Sequence, residues 1–171
     1  MSKVLVVYYT RTGNTKKVAE EIASRLGADI EEIVDAADRK GLLGYLRSLF
    51  DAMVARPVEI RETRDPFPYD VVVVGTPVWV SSISAPVREY LSQKAGAIRH
   101  AAFFLTLGGS GAKSVFRQME ELCGTAPVAL LSVREIDLEP GRGVPNVEAF
   151  AEEVSEWLRS LRRPRPVHTA A

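Results

Sequence analysis

The sequence predicts an α/β domain in which a parallel sheet carries helices on both faces. Three observations lead there. Strand-like and helix-like stretches alternate strictly along the chain. The run Val71-Val72-Val73-Val74 is apolar without alternation, as a strand buried on both faces requires. An apolar run from Val4 to Tyr9 breaks into a polar turn and passes at once into a helical pattern. The 171 residues suit one domain with one core, expected over 1–161, and a hydrophobic content of 46% suffices to fill it.

The first strand is expected over 3–9. A helix follows over 14–26, with Val18, Ala19, Ile22, Ala23 and Leu26 on one face. A weaker strand falls near 29–34. The stretch 35–69 is too long for an ordinary connection. Inside it, 41–54 reads as a helix with a wide stripe of Leu42, Leu46, Leu49, Phe50 and Met53. That stripe fits an ordinary helix packed on the sheet. It also fits, less simply, an extended element that covers a ligand or joins two copies of the chain in a homo-oligomer. Arg61 to Tyr69 then returns as a connector stiffened by Pro66 and Pro68.

The third strand is expected over 70–75, with Gly75 and Thr76 ending it and Trp79 in an irregular loop. Ser84 is placed to cap a helix over 86–94, with Pro86 in its first turn. Further strands are expected at 101–107 and 127–133, and further helices at 111–123 and 146–161. The tail 162–171, R-R-P-R-P-V-H-T-A-A from Arg162, has prolines and no apolar periodicity, so disorder is expected there.

Composition excludes several functions. Lys plus Arg equals Asp plus Glu, 22 each, which argues against nucleic-acid binding and against attraction to a membrane surface. No apolar run is long enough to span a bilayer, and no signal peptide precedes the first strand, so a cytoplasmic location is expected. The single cysteine, Cys123, cannot form an internal disulfide and reads as buried filler near a helix end. His100 and His168 have no metal-site spacing, and no metal is expected.

The turn Thr10-Arg11-Thr12-Gly13-Asn14-Thr15 carries the strongest functional signal. A strand that runs through a turn into a helix N-terminus aims free backbone N–H groups at one point, where the helix dipole adds positive potential. Thr10, Thr12 and Thr15 add hydroxyl donors, Asn14 an amide, and Gly13 allows the backbone to close around a ligand. Arg11 either neutralises ligand charge or faces solvent. The result is a cup for a phosphate monoester, although Thr, Asn and Gly are also ordinary turn and capping residues. Neither the Walker pattern nor G-x-G-x-x-G occurs in this turn.

The turn resembles the phosphate loop of the flavodoxins, with Thr10, Gly13, Thr15, Ala19 and Ile22 where that signature wants them. The resemblance covers about Lys3 to Leu161. It implies a flavodoxin-like three-layer sandwich with a five-stranded parallel sheet of order 2-1-3-4-5, and non-covalently bound flavin mononucleotide (FMN) as cofactor. In such a sheet the loops after the first, third and fourth strands converge. The second of these holds Pro77, Val78, Trp79, Val80 and Ser81; its Trp79 offers a flat face for stacking on the isoalloxazine ring, or else packs under the loop as satellite core. The stretch also resembles the matching loop of flavodoxin-like quinone reductases. The third loop, Gly108-Gly109-Ser110-Gly111, lets backbone approach a flat ligand.

The resemblance leaves functions of different classes. One is a carrier that moves electrons through FMN to a redox partner protein or a small acceptor. Another is an NAD(P)H-dependent quinone reductase; another is a flavin-free binding module. The intact cup argues against the last, the lack of a second nucleotide site against the reductase. The zero net charge departs from the acidic surface by which flavodoxins dock on basic partners.

Overall fold

The computed structural model describes residues 3–36, 58–138, 141 and 143–162. The helix read over 41–54 and the end of the chain from 163 lie outside these residues.

The alternation of the sequence becomes an alternation of elements. In chain order these are β1 (Val4–Tyr8), α1 (Asn14–Leu26), β2 (Asp29–Glu32), β3 (Val71–Trp79), β4 (Ser82–Ile83), α2 (Ala85–Lys94), β5 (Ala101–Leu107), α3 (Ala112–Cys123), β6 (Leu130–Arg134) and α4 (Val147–Leu161). The sheet order is β2-β1-β3-β5-β6, with every neighbouring pair along it parallel. Set aside the short arm β4, which pairs antiparallel with β3, and this is the order 2-1-3-4-5 that the resemblance to flavodoxins implied.

Alternate residues of β1 supply two separate cores. Val4, Val6 and Tyr8 face α1 and α4, meeting Val18, Ile22, Val147, Phe150 and Val154. Leu5 and Val7 face α2 and α3, meeting Val87, Leu91, Val115 and Met119. Val71 to Val74 divide the same way and are fully buried, which explains a run with no polar alternation. Helix α1 stops at Gly27, whose φ of 58° suits a residue without a Cβ.

Two side-chain ties and one close backbone approach fix the layers. Glu21 of α1 accepts the Val144 amide at 2.8 Å and pairs with Arg25, holding the approach to α4. His100 Nδ1 lies 3.0 Å from the Asp70 carbonyl, and its ring sits 4.2 Å from that of Trp157. Gly75 lies beside Phe104 on the next strand, and a Cβ there would fall on the Phe104 ring. Cys123 is the last residue of α3, buried, with its thiol pushed up by that burial.

The third strand departs from its expected end. It does not stop at Thr76 but continues through Trp79 and folds back as β4, with Val78 opposite Ile83 and Trp79 opposite Ser82. Trp79 is therefore a strand residue, not part of an irregular loop. The two turn residues, Val80 and Ser81, have φ of 50° and 54°, the sign pattern of a type I′ turn. A Val-Ser pair is a poor signal for such a turn, which usually carries Asn-Gly, so the sequence hid the hairpin.

Candidate functional site

The polar turn after β1 begins where sheet pairing ends, with the Tyr9 amide on the Gly75 carbonyl at 3.1 Å. Thr10 Oγ1 accepts the Gly13 amide at 3.1 Å and bends the chain. Gly13 then takes φ 92°, which strains any residue with a Cβ, and precedes α1 at its cap position. No side chain caps α1, and the first α-helical bond runs from the Lys17 amide to the Gly13 carbonyl. The amides of Asn14, Thr15 and Lys16 precede that bond. The first turn has no acid and carries Lys16 and Lys17. Cations at a helix N-terminus oppose the dipole by about 0.3–1 kcal/mol each. An anion seated there reverses the sign of that interaction.

Thr12, Gly13 and the edge of Asn14 face solvent, whereas Thr15 points inward. Its Oγ1 lies 2.8 Å from Thr106 Oγ1, and the two residues are 1% and 0% exposed. The helix after β1 thus reaches β5 through two hydroxyls.

The hairpin after β3 forms the second wall. Trp79 is half-buried and meets Tyr9 edge to face, ring centroids 5.9 Å apart at 90°. Val80 projects from the tip, 63% exposed. A β-branched residue at positive φ carries strain of about 1–3 kcal/mol, so something must hold it. Gln118 of α3 does so. Its amide donates to the Ser81 carbonyl at 3.2 Å, and its carbonyl accepts Ser82 Oγ at 3.2 Å and the Ile83 amide at 3.3 Å. Arg88 adds a bond to Ser82 Oγ at 3.0 Å, and burial pulls its guanidinium below the usual arginine range. Ser84 stands at the cap position of α2 but does not cap it. Its hydroxyl lies 2.9 Å from Thr76 Oγ1, which also accepts the Ser84 amide at 3.2 Å. The start of α2 is itself buried, and there the Ser84 hydroxyl is taken by Thr76 rather than by a backbone amide of the helix.

Gly108, Gly109 and Ser110 are exposed, and Gly111 precedes α3 with φ 108°. A Cβ on Gly111 would stand 2.7 Å from Ser81 Oγ and 2.9 Å from Ser81 Cα, so the third segment touches the hairpin. Helix α3, like α1, has no side-chain cap and no acid in its first turn, where Lys113 lies.

The segments 10–15, 77–81 and 108–111 therefore meet at the carboxyl ends of β1, β3 and β5. Tyr9–Trp79, Thr15–Thr106 and Ser81–Gly111 are the joints. Three residues that build or brace these joints, Tyr9, Thr106 and Gln118, escape a reading by motif. Only Thr106 left a trace, as the one polar residue in A-A-F-F-L-T-L. Beside the turn, the Tyr8 hydroxyl donates to Glu32 at 3.1 Å, and burial followed by that carboxylate lifts it above the ordinary tyrosine range. Among the described residues, no group of His, Cys, Asp and Glu could hold a metal ion, and no helix is long and apolar enough to cross a membrane.

The sequence model of the flavodoxin family matches residues 3–159. Solved structures repeat the fold at low identity. A flavoprotein from Lactobacillus acidophilus NCFM, in complex with FMN, aligns with a TM-score of 0.71 at 23% identity, over 92% of this chain and 99% of its own. Flavodoxin 2 from Bacillus cereus aligns at 0.56 and 17% identity, over 91% and 99%. A flavodoxin from the domain Archaea aligns at 0.55 and 16%, over 94% and 99%.

Proposed function

Because this chain belongs to the flavodoxin family, its sequence matching over residues 3–159, we propose that it binds FMN at the junction of the three segments and passes electrons through it. One observation carries the reading: an uncapped helix N-terminus with lysines and no acid lies beside a half-buried tryptophan and a glycine-rich turn. That donor set fits a phosphate joined to a flat ring. The Lactobacillus relative, crystallised with FMN, supports the same ligand.

Thr10, Thr12 and Thr15 offer hydroxyls to the phosphate, and the amides of Asn14, Thr15 and Lys16 offer N–H groups along the dipole. Lys16 and Lys17 balance its charge. Tyr9 braces Trp79 from the side, so that the indole presents a fixed face to the isoalloxazine. The exposed Val80 shields the ring from water at one edge. Gly108 to Gly111 admit close backbone approach. When bound, the flavin supplies the redox chemistry, and the protein supplies orientation and field. The zero net charge means that a redox partner docks here without the strong acidic steering that flavodoxins use.

Calorimetric titration with FMN and with riboflavin tests the cup: FMN should bind more tightly by at least about tenfold, the worth of a charged hydrogen bond. Equal affinities would refute it. Anaerobic stopped-flow mixing of the FMN complex with NADH and NADPH separates carrier from reductase. Slow or absent reduction is expected, since nothing in the sequence reads as a second nucleotide site, and complete reduction within seconds would favour the reductase.

A further inference from the structure

Thr15 and Thr106 share one hydrogen bond but own two hydroxyl protons. Their Oγ1 atoms are 2.8 Å apart, and each residue is almost wholly buried. Among the described residues, neither hydroxyl makes another bond. One proton lies between the two oxygens, so the other must find an acceptor elsewhere or remain unpaired in a dry setting, which is unfavourable. The two ways of placing the protons are not equivalent. Thr106 lies inside β5, with no exposure at all, and its neighbours Leu105 and Leu107 are buried. If Thr15 were the donor, the Thr106 proton would be stranded there. Thr15 is the second residue of α1, on the turn itself. If Thr106 is the donor, the surplus proton belongs to Thr15, where a ligand oxygen seated at the helix N-terminus can accept it.

We propose that Thr106 is a positioning residue for the phosphate: it donates to Thr15 Oγ1 and thereby turns the Thr15 hydroxyl proton toward the anion. This rests on the FMN reading above and adds a group from a different strand to it. Thr106 itself touches no ligand. Its loss removes an orientation, not a contact, and the loss is felt only by a ligand that has a phosphate.

The test is a set of dissociation constants for FMN and riboflavin with wild-type protein, Thr106→Val and Thr106→Ser. Thr106→Val keeps the shape of the side chain and removes the donor. It should weaken FMN by about tenfold or more while changing riboflavin by less than about threefold. Thr106→Ser keeps the hydroxyl and should bind FMN within about threefold of wild type. A purely structural role would weaken both flavins alike and would overturn the proposal, as would an unchanged FMN constant in Thr106→Val or a failure of Thr106→Ser to retain affinity. If the wild-type protein binds FMN no better than riboflavin, the phosphate reading and this inference fall together; if it prefers FMN and Thr106→Val does so equally, only this inference falls. Should Thr106→Val not fold, proton–phosphorus correlation spectra of the wild-type FMN complex decide. A hydrogen-bond coupling from the Thr15 hydroxyl proton to phosphorus supports the assignment, and one from the Thr106 proton, or none from Thr15, refutes it.

Discussion

Replacing Gly111 with Ala probes the contact between the third segment and the hairpin. Two separate effects add. At φ 108° an L-residue carries strain of about 1–3 kcal/mol. The new Cβ also stands 2.7 Å from Ser81 Oγ and 2.9 Å from Ser81 Cα. The hydroxyl can rotate away. The Cα cannot, because Gln118 holds the Ser81 carbonyl at 3.2 Å. The hairpin must then shift as a unit, at a typical overpacking cost of about 1–3 kcal/mol. Alanine returns about 0.4–1 kcal/mol by restricting the unfolded chain. The net loss is roughly 2–4 kcal/mol, and at roughly 2–4 °C per kcal/mol for a chain of this size the Tm falls by about 5–15 °C. Urea denaturation and thermal melts followed by far-ultraviolet circular dichroism measure this. Ser81→Gly removes Oγ and Cβ, so the double variant should recover about 1 kcal/mol relative to the sum of the single changes. A Tm within about 1 °C of wild type for Gly111→Ala, or a coupling below about 0.3 kcal/mol, would refute the reasoning.

Other perturbations bear on the same site. FMN binding should quench Trp79 and leave mainly the emission of Trp157, and Trp79→Ala should raise the dissociation constant and abolish most of the quenching; unchanged quenching in that variant would return Trp79 to the satellite core. Thr10→Ala should weaken FMN about tenfold to a hundredfold without unfolding the domain, and a change below about threefold would reduce Thr10 to a turn residue. Installing the preferred type I′ pair, Val80→Asn with Ser81→Gly, should raise stability by about 1–3 kcal/mol in denaturant titrations, and a loss of stability would show that the turn is unstrained. Tyr8 and Tyr90 are both lifted above the ordinary range, chiefly by burial, with Glu32 adding to Tyr8 and Glu31 to Tyr90. The unfolded chain releases those protons near pH 10 and the native chain does not, so their contribution is full below about pH 10 and shrinks as pH rises beyond it. Ultraviolet difference titration should show these two of the 5 tyrosines ionising only as the fold is lost.

Most of the architecture was legible because it rests on local signals. Val71 to Val74 announce a strand buried on both faces, and Val18, Ala19 and Ile22 announce a helix with one buried face. The polar turn 10–15 stood out because its residue types are unusual together, and it does lead into the N-terminus of α1. The hairpin was not legible. Gln118, 36 residues beyond Ser82, holds the strand that returns to pair Ser82 with Trp79. No local pattern records a bond made at that range. Thr106 escaped for a similar reason: its partner lies 91 residues away. The expected cap at Ser84 failed because Thr76, invisible as a competitor in the sequence, takes the hydroxyl.

The hairpin has a consequence for how such a site can diversify. A free loop tolerates insertion, but the segment from Val78 to Ile83 is a continuation of the central strand, and its side chains alternate in step with the sheet. One added residue in either arm would reverse which side chains point inward, carrying Trp79 away from Tyr9. Gly108, Gly109 and Ser110 bear no such constraint: they are exposed, and a Cβ on either glycine meets nothing within 4 Å. New ligand preferences in this lineage should therefore be written in the length and composition of 108–110, while the Trp79 hairpin keeps its length and varies only by exchange of side chains.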